Sequence, residues 1–314
     1  MIRLLSLPLK FSLFLLILTE TLISQKFDPQ KKRSRYYESI ILLKQNGYCQ
    51  HDFNELLGHG IYGEAWGSTE HNLAIKVKKV SGRFPKKYIR EFNKQLYIYD
   101  ALQLYAPDQA FKERITTLKP ENFALIKDSI RTISIFSMER LRPIHNAKNN
   151  ELTRIRLGLH PLRTYQEIET LVNTYPSLSA KKTNMEQLCY DLGTLFAIIQ
   201  LGAKMDCFDT ELYLARQSKN SDRYRIVLID FHLTRDLQSI FINTDEKSII
   251  YNLLRGIRTR ELTPPPSTPG FNQFKEGYLN FALTLDTLNN EIRYVPLALQ
   301  LFEEYARIAT KKTI

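Results

Sequence analysis

Three acidic residues lie within six positions in the segment 202–233, and a fourth follows an apolar run further along it. The three are Asp206, Asp209 and Glu211, and the fourth is Asp230 in the sequence Ile-Asp-Phe-His. Carboxylates spaced in this way could hold a divalent metal in a phosphate-transfer site. Asp residues also bond backbone N–H groups in turns. The pattern by itself leaves open a working site, a degenerate copy of one, or a hairpin with a polar edge.

A glycine-rich turn lies between two strand-like runs nearer the N-terminus. Its sequence GHGIYGEA fits G-x-G-x-x-G-x-A, with Gly58, Gly60 and Gly63 at the glycine positions. Because these positions lack side chains, backbone N–H groups can approach phosphate oxygens closely. Glycine-rich hairpins are also common as plain turns. The flanking runs, Phe53–Leu57 and Leu73–Val77, predict two strands.

Lys76 follows Gly63 by thirteen residues, in the sequence Ala-Ile-Lys. From an inward-facing strand position its ammonium group can reach phosphates and can pair with Glu91. Glu91 lies on a helix predicted from Pro85, where apolar residues recur at helical spacing. The lysine and the glutamate together strengthen the indication of a phosphate site.

Strands come first along the chain and helices later. Two more strands are predicted at 122–128 and 132–141, the second containing Met138 and Glu139, after a second helical stretch at about 101–111. This order predicts an α+β fold in two lobes, a small antiparallel-sheet N-lobe with one main helix (46–139) and a larger, mainly helical C-lobe (140–314). The helices predicted in the second part are 164–172, 184–201, 248–258, 270–288 and 296–309.

With these features in this order, the chain resembles the protein-kinase-like superfamily from about residue 50 to 310. The stretch LGTLFAIIQLGAKMDCFDTELYLA and the later YRIVLIDFHL are most similar to a fungal kinase-like domain of unknown function, in which D-x-x-D-x-E precedes a D-F strand end. The sequence LKPEN at 118–122 imitates a kinase catalytic loop. Thr117 stands where its Asp would be, and the segment precedes the Met-Glu hinge, so a turn is predicted there.

The resemblance implies a role for each candidate residue. Asp206 would accept the proton of a substrate hydroxyl, Lys76 would neutralise α/β-phosphate charge, and Glu211 and Asp230 would hold Mg²⁺. The implied cofactors are ATP and Mg²⁺. Asp209 has no assigned role. The implied cofactor-binding residues are Gly58, Gly60, Gly63, Ala74, Lys76, Glu91 and Glu139.

The sequence also departs from the kinase pattern. The usual His-Arg-Asp is Lys204-Met205-Asp206, Glu211 replaces the metal-binding Asn, His232 replaces a Gly, and no A-P-E element follows. A carboxylate is still a good Mg²⁺ ligand, although it adds negative charge beside the phosphates. Two functions remain open: an atypical phosphotransferase acting on a hydroxyl of a protein or small molecule, or an inactive pseudokinase that serves as a protein-interaction module.

Charge and cysteine content limit the other classes of function. The formal net charge of +11 is compatible with anionic partners. The basic residues are scattered and no nucleic-acid module is evident, so no specific nucleic-acid binding is predicted. The three cysteines show no paired ligand spacing, which indicates neither a zinc site nor a disulfide framework.

The N-terminal sequence predicts that the protein is exported from the cell. Residues 1–24 combine two positive charges with an apolar stretch too short to span a bilayer comfortably, which is typical of a secretory signal peptide. An uncleaved membrane anchor or a buried helix are the alternatives. Residues 25–45 predict a basic linker. We therefore expect a secreted protein, with membrane-anchored and intracellular locations as the alternatives.

Overall fold

The structure is a computed structural model that describes residues 53–59, 63–68, 70–80, 86–127, 132–142, 153–155, 185–216, 224–243, 245–258, 262–288 and 292–310. The predicted signal peptide, the basic linker, Gly60 and the helix predicted at 164–172 lie outside these residues. The fold is a mixed α/β fold. Its strands are β1 (Phe53–His59), β2 (Gly63–Ser68), β3 (Leu73–Val80), β4 (Ile115–Thr117), β5 (Glu121–Lys127), β6 (Thr132–Glu139), β7 (Thr153–Ile155), β8 (Glu211–Arg216) and β9 (Tyr224–Ile229).

Five of these strands form an antiparallel sheet in the order β1-β2-β3-β6-β5. One face carries a small apolar cluster that includes Trp66, Ile75, Val77 and Ile135. Alternate residues of β3 lie on the opposite face, because side chains alternate along a strand. Lys76 and Lys78 therefore share the face that does not carry this cluster.

The helices are α1 (Lys86–Tyr105), α2 (Gln109–Arg114), α3 (Met185–Ala197), α4 (Gln238–Asn243), α5 (Glu246–Ile257), α6 (Gly270–Leu288) and α7 (Tyr294–Thr310). A π-helical turn, Ile198–Gly202, continues α3. The sequence predicted a second helix at about 101–111, whereas α1 runs on to Tyr105 and stops before Pro107. Proline disfavours helical backbone in the residue before it. Asp108 then caps α2 by accepting a hydrogen bond from Phe111 N at 2.6 Å.

The main core surrounds α3. This helix is buried along nearly its whole length, and the cluster around it draws apolar residues from every described helix. Because α3 and its π-helical turn are held on all sides, the loop that follows, residues 203–210, leaves the core from a fixed point. That loop carries Asp206 and Asp209.

A second sheet has the order β4-β9-β8-β7, in which β4 is parallel to β9. The sequence predicted the β8–β9 hairpin region but not β4. Ile115–Thr117 belongs to the first half of the chain, yet it pairs with Ile226–Leu228 in the second. The two-lobed arrangement and its boundary at residue 139 stay predictions. No helix in the described part of the chain is long and apolar enough to cross a membrane.

Candidate functional site

Lys76 on β3 joins two carboxylates that are far apart in the sequence. Its Nζ lies 2.7 Å from Glu91 Oε1 on α1 and 3.2 Å from Asp230 Oδ1, which directly follows β9. Antiparallel pairing with β6 fixes the position of β3, and α1 begins soon after β3 ends. The structure thus brings together Lys76, Glu91 and Asp230; the sequence predicted the pairing of Lys76 with Glu91, and the roles of all three in binding phosphate and Mg²⁺ stay predictions.

A second lysine binds the same glutamate. Lys78 Nζ donates a hydrogen bond to Glu91 Oε2, and both side chains are buried. Lys78 lies two residues beyond Lys76 on β3, so the strand period places both ammonium groups on one face. Each oxygen of Glu91 therefore has its own lysine. Lys78 was not among the predicted site residues, although its spacing of two from Lys76 was a usable signal.

The charges of this cluster keep its acids ionised. Burial alone would raise the pKa of Glu91, but the charges of Lys76 and Lys78 outweigh it and lower that pKa. Burial would likewise raise the pKa of Asp230, yet the hydrogen bond with His232 and the charge of Lys76 hold it below its ordinary value. His232 Nδ1 lies 2.8 Å from Asp230 Oδ1.

The two lysines respond differently to the same surroundings. Burial lowers the pKa of a lysine, but at Lys76 the charges of Glu91 and Asp230 outweigh burial and raise it. At Lys78, burial and the neighbouring charge of Lys76 outweigh Glu91 and lower the pKa. Lys76 is therefore the firmly charged member of the pair, and it is the one that reaches Asp230.

Asp206 is in a different situation. Its side chain is completely buried, with 0% exposed. Oδ1 accepts hydrogen bonds from Arg235 N at 2.8 Å and Phe208 N at 3.1 Å, and Oδ2 accepts one from Arg255 Nη1. The Arg255 guanidinium also lies 3.6 Å from the centre of the Phe208 ring. Both carboxylate oxygens are thus engaged within the protein, and the sequence carried no signal for Arg255.

Residues with positive φ are concentrated in the Asp206 loop and at Asp230. Within the described part of the chain, five residues other than glycine have positive φ, and four of them lie between positions 204 and 230. Each such residue costs about 1–3 kcal/mol, and such strain clusters at functional sites. The values of φ are 52° at Lys204, 56° at Cys207, 60° at Asp209 and 67° at Asp230.

The residues predicted to hold Mg²⁺ lie at neighbouring strand ends. Glu211 is the first residue of β8 and pairs with Ile229, the residue before Asp230. Glu211 Oε2 accepts a hydrogen bond from Tyr213 Oη at 2.6 Å. No group of three or more His, Cys, Asp or Glu side chains arranged for a metal occurs among the described residues. Mg²⁺ is often held by one or two carboxylates together with phosphates and water, and the metal roles of Glu211 and Asp230 stay predictions.

The glycine turn is described in part. Gly58 lies in β1 opposite Ala65, and Gly63 begins β2 opposite Lys78. A Cβ at Gly63 would overlap the carbonyl oxygen of Val77. Glycine at this position therefore has a structural reason in the close approach of β2 to β3, independent of any phosphate.

Ala74 and Glu139 lie at the ends of β3 and β6. Ala74 is buried, lies opposite Met138 and shares a strand face with Lys76. The Glu139 carboxylate, however, lies 2.5 Å from Arg225 Nη2 and accepts a hydrogen bond from Asn72 Nδ2. The side chain of Glu139 is therefore engaged away from Lys76, and its cofactor role stays a prediction.

Lys94 connects α1 to the segment after Asp230. Its Nζ donates hydrogen bonds to the backbone oxygens of Thr234 and, at 3.4 Å, His232. Glu91 and Lys94 are one turn apart on α1. The same face of the helix therefore contacts both this segment and the group of Lys76, Lys78 and Asp230 around Glu91, which we call the lysine cluster. This contact could not be predicted from the sequence, because its acceptors are backbone atoms.

Comparison with known proteins gives little to add to this geometry. No family model matches the chain, and no curated protein matches it. The specific resemblance to the fungal domain therefore remains a prediction. Among solved structures, the chain is similar to the microcompartment-associated aminopropanol kinase, with 12% identity over 86% of this chain and 95% of that one and a TM-score of 0.33. A likeness at this level carries no inference about substrate or mechanism.

Proposed function

We propose that this protein binds a nucleoside triphosphate with Mg²⁺ at Lys76, Glu91 and Asp230, and transfers the γ-phosphoryl group to a hydroxyl. The observation that carries the proposal is the position of Lys76 Nζ, which is 2.7 Å from Glu91 and 3.2 Å from Asp230. A lysine that a helical glutamate holds next to a metal-binding aspartate is the arrangement used for phosphate and metal in protein kinases.

Each residue has a defined task in this proposal. Mg²⁺, when bound, neutralises charge on the phosphates and orients the terminal one. Asp230, with its lowered pKa, is ionised and supplies an oxygen ligand. Lys76 turns from Asp230 to the phosphate oxygens, while Glu91 keeps its place because Lys78 continues to hold it. The hydroxyl oxygen forms a bond to the γ-phosphorus, the bond to the β–γ bridging oxygen breaks, and the nucleoside diphosphate leaves with that oxygen.

The proton of the hydroxyl needs an acceptor, and here a second candidate function arises. Both oxygens of Asp206 are occupied by Arg255, Arg235 and Phe208. A carboxylate held in this way supports the loop more directly than it serves a substrate. This observation favours the alternative, a pseudokinase that binds nucleotide without turnover and acts through protein contacts.

Phosphorus NMR of the full chain with Mg-ATP distinguishes the two functions. A phosphotransferase yields the diphosphate, and Asp206→Asn abolishes that signal if Asp206 is the base. Asp209→Asn is the matched comparison, because Asp209 is exposed three residues further along the same loop. Binding without turnover in the wild type, also when glycerol and Ser- and Thr-containing peptides are supplied as hydroxyl acceptors, would assign the pseudokinase function. Absence of nucleotide binding would contradict both.

A further inference from the structure

His232 is a departure from the kinase pattern to which the proposed function gives no task. The pattern has a glycine at this position, which carries no side chain, whereas histidine brings a ring with two nitrogens. Its Nδ1 lies 2.8 Å from Asp230 Oδ1, within hydrogen-bond distance. Because an ionised carboxylate only accepts hydrogen bonds, Nδ1 is the atom that carries the proton in this contact.

Two hydrogen bonds to the side chain of Asp230 meet on one oxygen. Oδ1 accepts from Lys76 Nζ at 3.2 Å and from His232 Nδ1 at 2.8 Å. Within the part of the chain that the structure describes, Oδ2 accepts no hydrogen bond, and it is accessible to solvent on a side chain that is 31% exposed. One oxygen of Asp230 is therefore held inside the protein, and the other can be reached from outside.

The backbone of His232 is fixed in a tight turn. Thr234 N donates to Phe231 O at 3.3 Å, and both of these residues are buried. Lys94 on α1 donates to the backbone oxygens of His232 and Thr234. The side chain of His232 is itself only 15% exposed. The imidazole ring is therefore held beside Asp230 by its surroundings as well as by the hydrogen bond.

The second donor to Asp230 matters when Lys76 moves its hydrogen bonds to a phosphate, as the proposed function requires. Glu91 then keeps its ion pair with Lys78. Asp230 keeps its hydrogen bond from His232 in the same way. Asp230 also has a φ of 67°, which is strained for a residue other than glycine and persists only where surrounding contacts hold it. His232 supplies such a contact when Lys76 is engaged elsewhere.

Carboxylates that bind metals are usually oriented by further hydrogen bonds. Replacing such a supporting residue commonly weakens metal binding about tenfold to a hundredfold. A carboxylate oxygen is the kind of ligand that Mg²⁺ takes from proteins, and one or two carboxylates suffice when phosphates supply the other oxygens. Asp230 fits this description, because Oδ1 is held by donors of the protein and Oδ2 is accessible.

We propose that His232 is a positioning residue for Asp230, which holds Oδ1 so that Oδ2 is presented to the metal of a Mg²⁺-nucleotide while Lys76 binds the phosphates. This inference rests on the proposed function, because it uses the metal role given there to Asp230. A neutral ring suffices for the task, since one N–H donor is enough and no change of protonation is involved. A glycine at position 232 could not perform it.

Calorimetry of the full chain with ATP at a series of Mg²⁺ concentrations tests this role. His232→Phe keeps a ring and removes the donor, so it should raise the Mg²⁺ concentration needed for ATP binding about tenfold or more. Its affinity for ATP in EDTA should stay within about twofold of the wild type, since only the metal-dependent part of binding is affected. An unchanged Mg²⁺ requirement in His232→Phe would overturn the inference and leave nucleotide binding itself standing.

Two further variants separate positioning from a general loss of structure. His232→Asn places an amide nitrogen close to the position of Nδ1, so it should restore most of the wild-type Mg²⁺ requirement. His71→Phe, at an exposed position before β3, should behave as the wild type does. If His232→Asn needs as much Mg²⁺ as His232→Phe, the hydrogen bond to Asp230 is not what position 232 contributes.

Urea unfolding without any ligand tests whether Lys76 and His232 share Asp230. Residues that share one partner have coupled effects on stability. His232→Phe should therefore lower the urea midpoint more in Lys76→Met than in the wild type, because Asp230 then loses both donors. Equal shifts in the two backgrounds would overturn the inference. If the wild type binds no ATP, the proposed function fails, and this comparison alone decides whether His232 holds Asp230.

Discussion

Glu91 is ion-paired with two lysines, and this pairing affects how the lysine cluster would respond to a bound phosphate. In the structure the charges of Lys76 and Lys78 balance those of Glu91 and Asp230. When Lys76 moves its bonds to a phosphate, Glu91 still has a buried partner in Lys78. A buried carboxylate left without a partner is strongly destabilising. Because Lys78 stays bound to Glu91, Lys76 can move its hydrogen bonds to a phosphate without leaving a buried carboxylate unpaired.

The free energy of unfolding at acid pH tests whether Asp230 is ionised in the folded protein. The folded protein holds the pKa of Asp230 below its ordinary value, so the unfolded chain takes up the proton first as the pH falls. Its stabilising contribution is complete above the unfolded pKa of about 4 and is lost as the pH falls through the folded pKa. Urea unfolding should show a larger difference between wild type and Asp230→Asn at pH 6 than at pH 3.

The control for this experiment is Asp100→Asn, at an exposed position on α1. It should follow the wild type at both pH values. If the difference between wild type and Asp230→Asn is the same at pH 3 and pH 6, Asp230 does not gain its stability from being ionised in the folded state.

Glu211 is the residue at which a metal role can be tested most directly. Glu211→Asn restores the residue type of the kinase pattern, and Tyr213→Phe removes only the phenol that now bonds Glu211 Oε2. If Glu211 binds Mg²⁺, Glu211→Asn should change the Mg²⁺ concentration needed for nucleotide binding, while Tyr213→Phe should keep it within about twofold, since one neutral hydrogen bond is worth little net. Titration of Mg²⁺ at fixed ATP measures this. An identical Mg²⁺ requirement in wild type and Glu211→Asn would exclude Glu211 as a ligand.

The loop after α3 and the segment after β9 are joined by backbone contacts. Met205 and Asp236 form an antiparallel bridge, and Leu237 N donates to Lys204 O at 2.7 Å. Lys94 holds the same segment from α1. The lysine cluster and the Asp206 loop are therefore linked through one short stretch of backbone. We expect a displacement of the loop to shift Asp230 as well.

Gly256 on α5 allows that link to be tested. A Cβ at this position would overlap the carbonyl oxygen of Asp206, which is backbone and cannot move aside easily. Gly256→Ala should lower the free energy of unfolding by about 1–3 kcal/mol, the usual cost of overpacking, despite the better helix propensity of alanine. It should also weaken nucleotide binding. Urea unfolding and calorimetry measure the two effects.

The matched control is Gly202→Ala. A Cβ there would lie 3.1 Å from Tyr105 Cδ2, an aromatic side chain that can shift by the small amount needed. Gly202→Ala should therefore cost less than Gly256→Ala and should leave nucleotide affinity unchanged. Equal costs for the two substitutions would mean that the contact of α5 with the Asp206 loop carries no special constraint.

The sequence predicted those elements whose signal is local. The runs at Phe53 and Leu73, the helix around Glu91 and the helix that starts at Gly270 all have clear periodicity or turn residues at their ends, and the structure has each of them. The pair Lys76–Glu91 followed from a strand and a helix adjacent in the chain. It could not be predicted that β4 pairs with β9, since three residues contain no register information.

Contacts between distant parts of the chain also could not be predicted from the sequence. Asp206 was interpreted as a base because of its position in a pattern, and nothing in that pattern indicated that Arg255, 49 residues later, donates to it.

Export of the protein remains a prediction that one simple experiment checks. If residues 1–24 are a signal peptide, protein collected from the medium of expressing eukaryotic cells should begin near residue 22 to 25. N-terminal sequencing identifies that residue. Protein found only inside the cells with Met1 retained would contradict secretion, and would leave the nucleotide proposal untouched.

Calorimetry of the full chain with ATP tests whether the protein binds a nucleotide at Lys76, Glu91 and Asp230. We expect ATP to bind more tightly with Mg²⁺ than with EDTA. Lys76→Met should lower the affinity about tenfold or more, because charged hydrogen bonds to phosphate are lost. Lys247→Met, at an exposed position on α5, should bind as the wild type does. Absence of ATP binding, or equal affinity in Lys76→Met and the wild type, would contradict the proposed site.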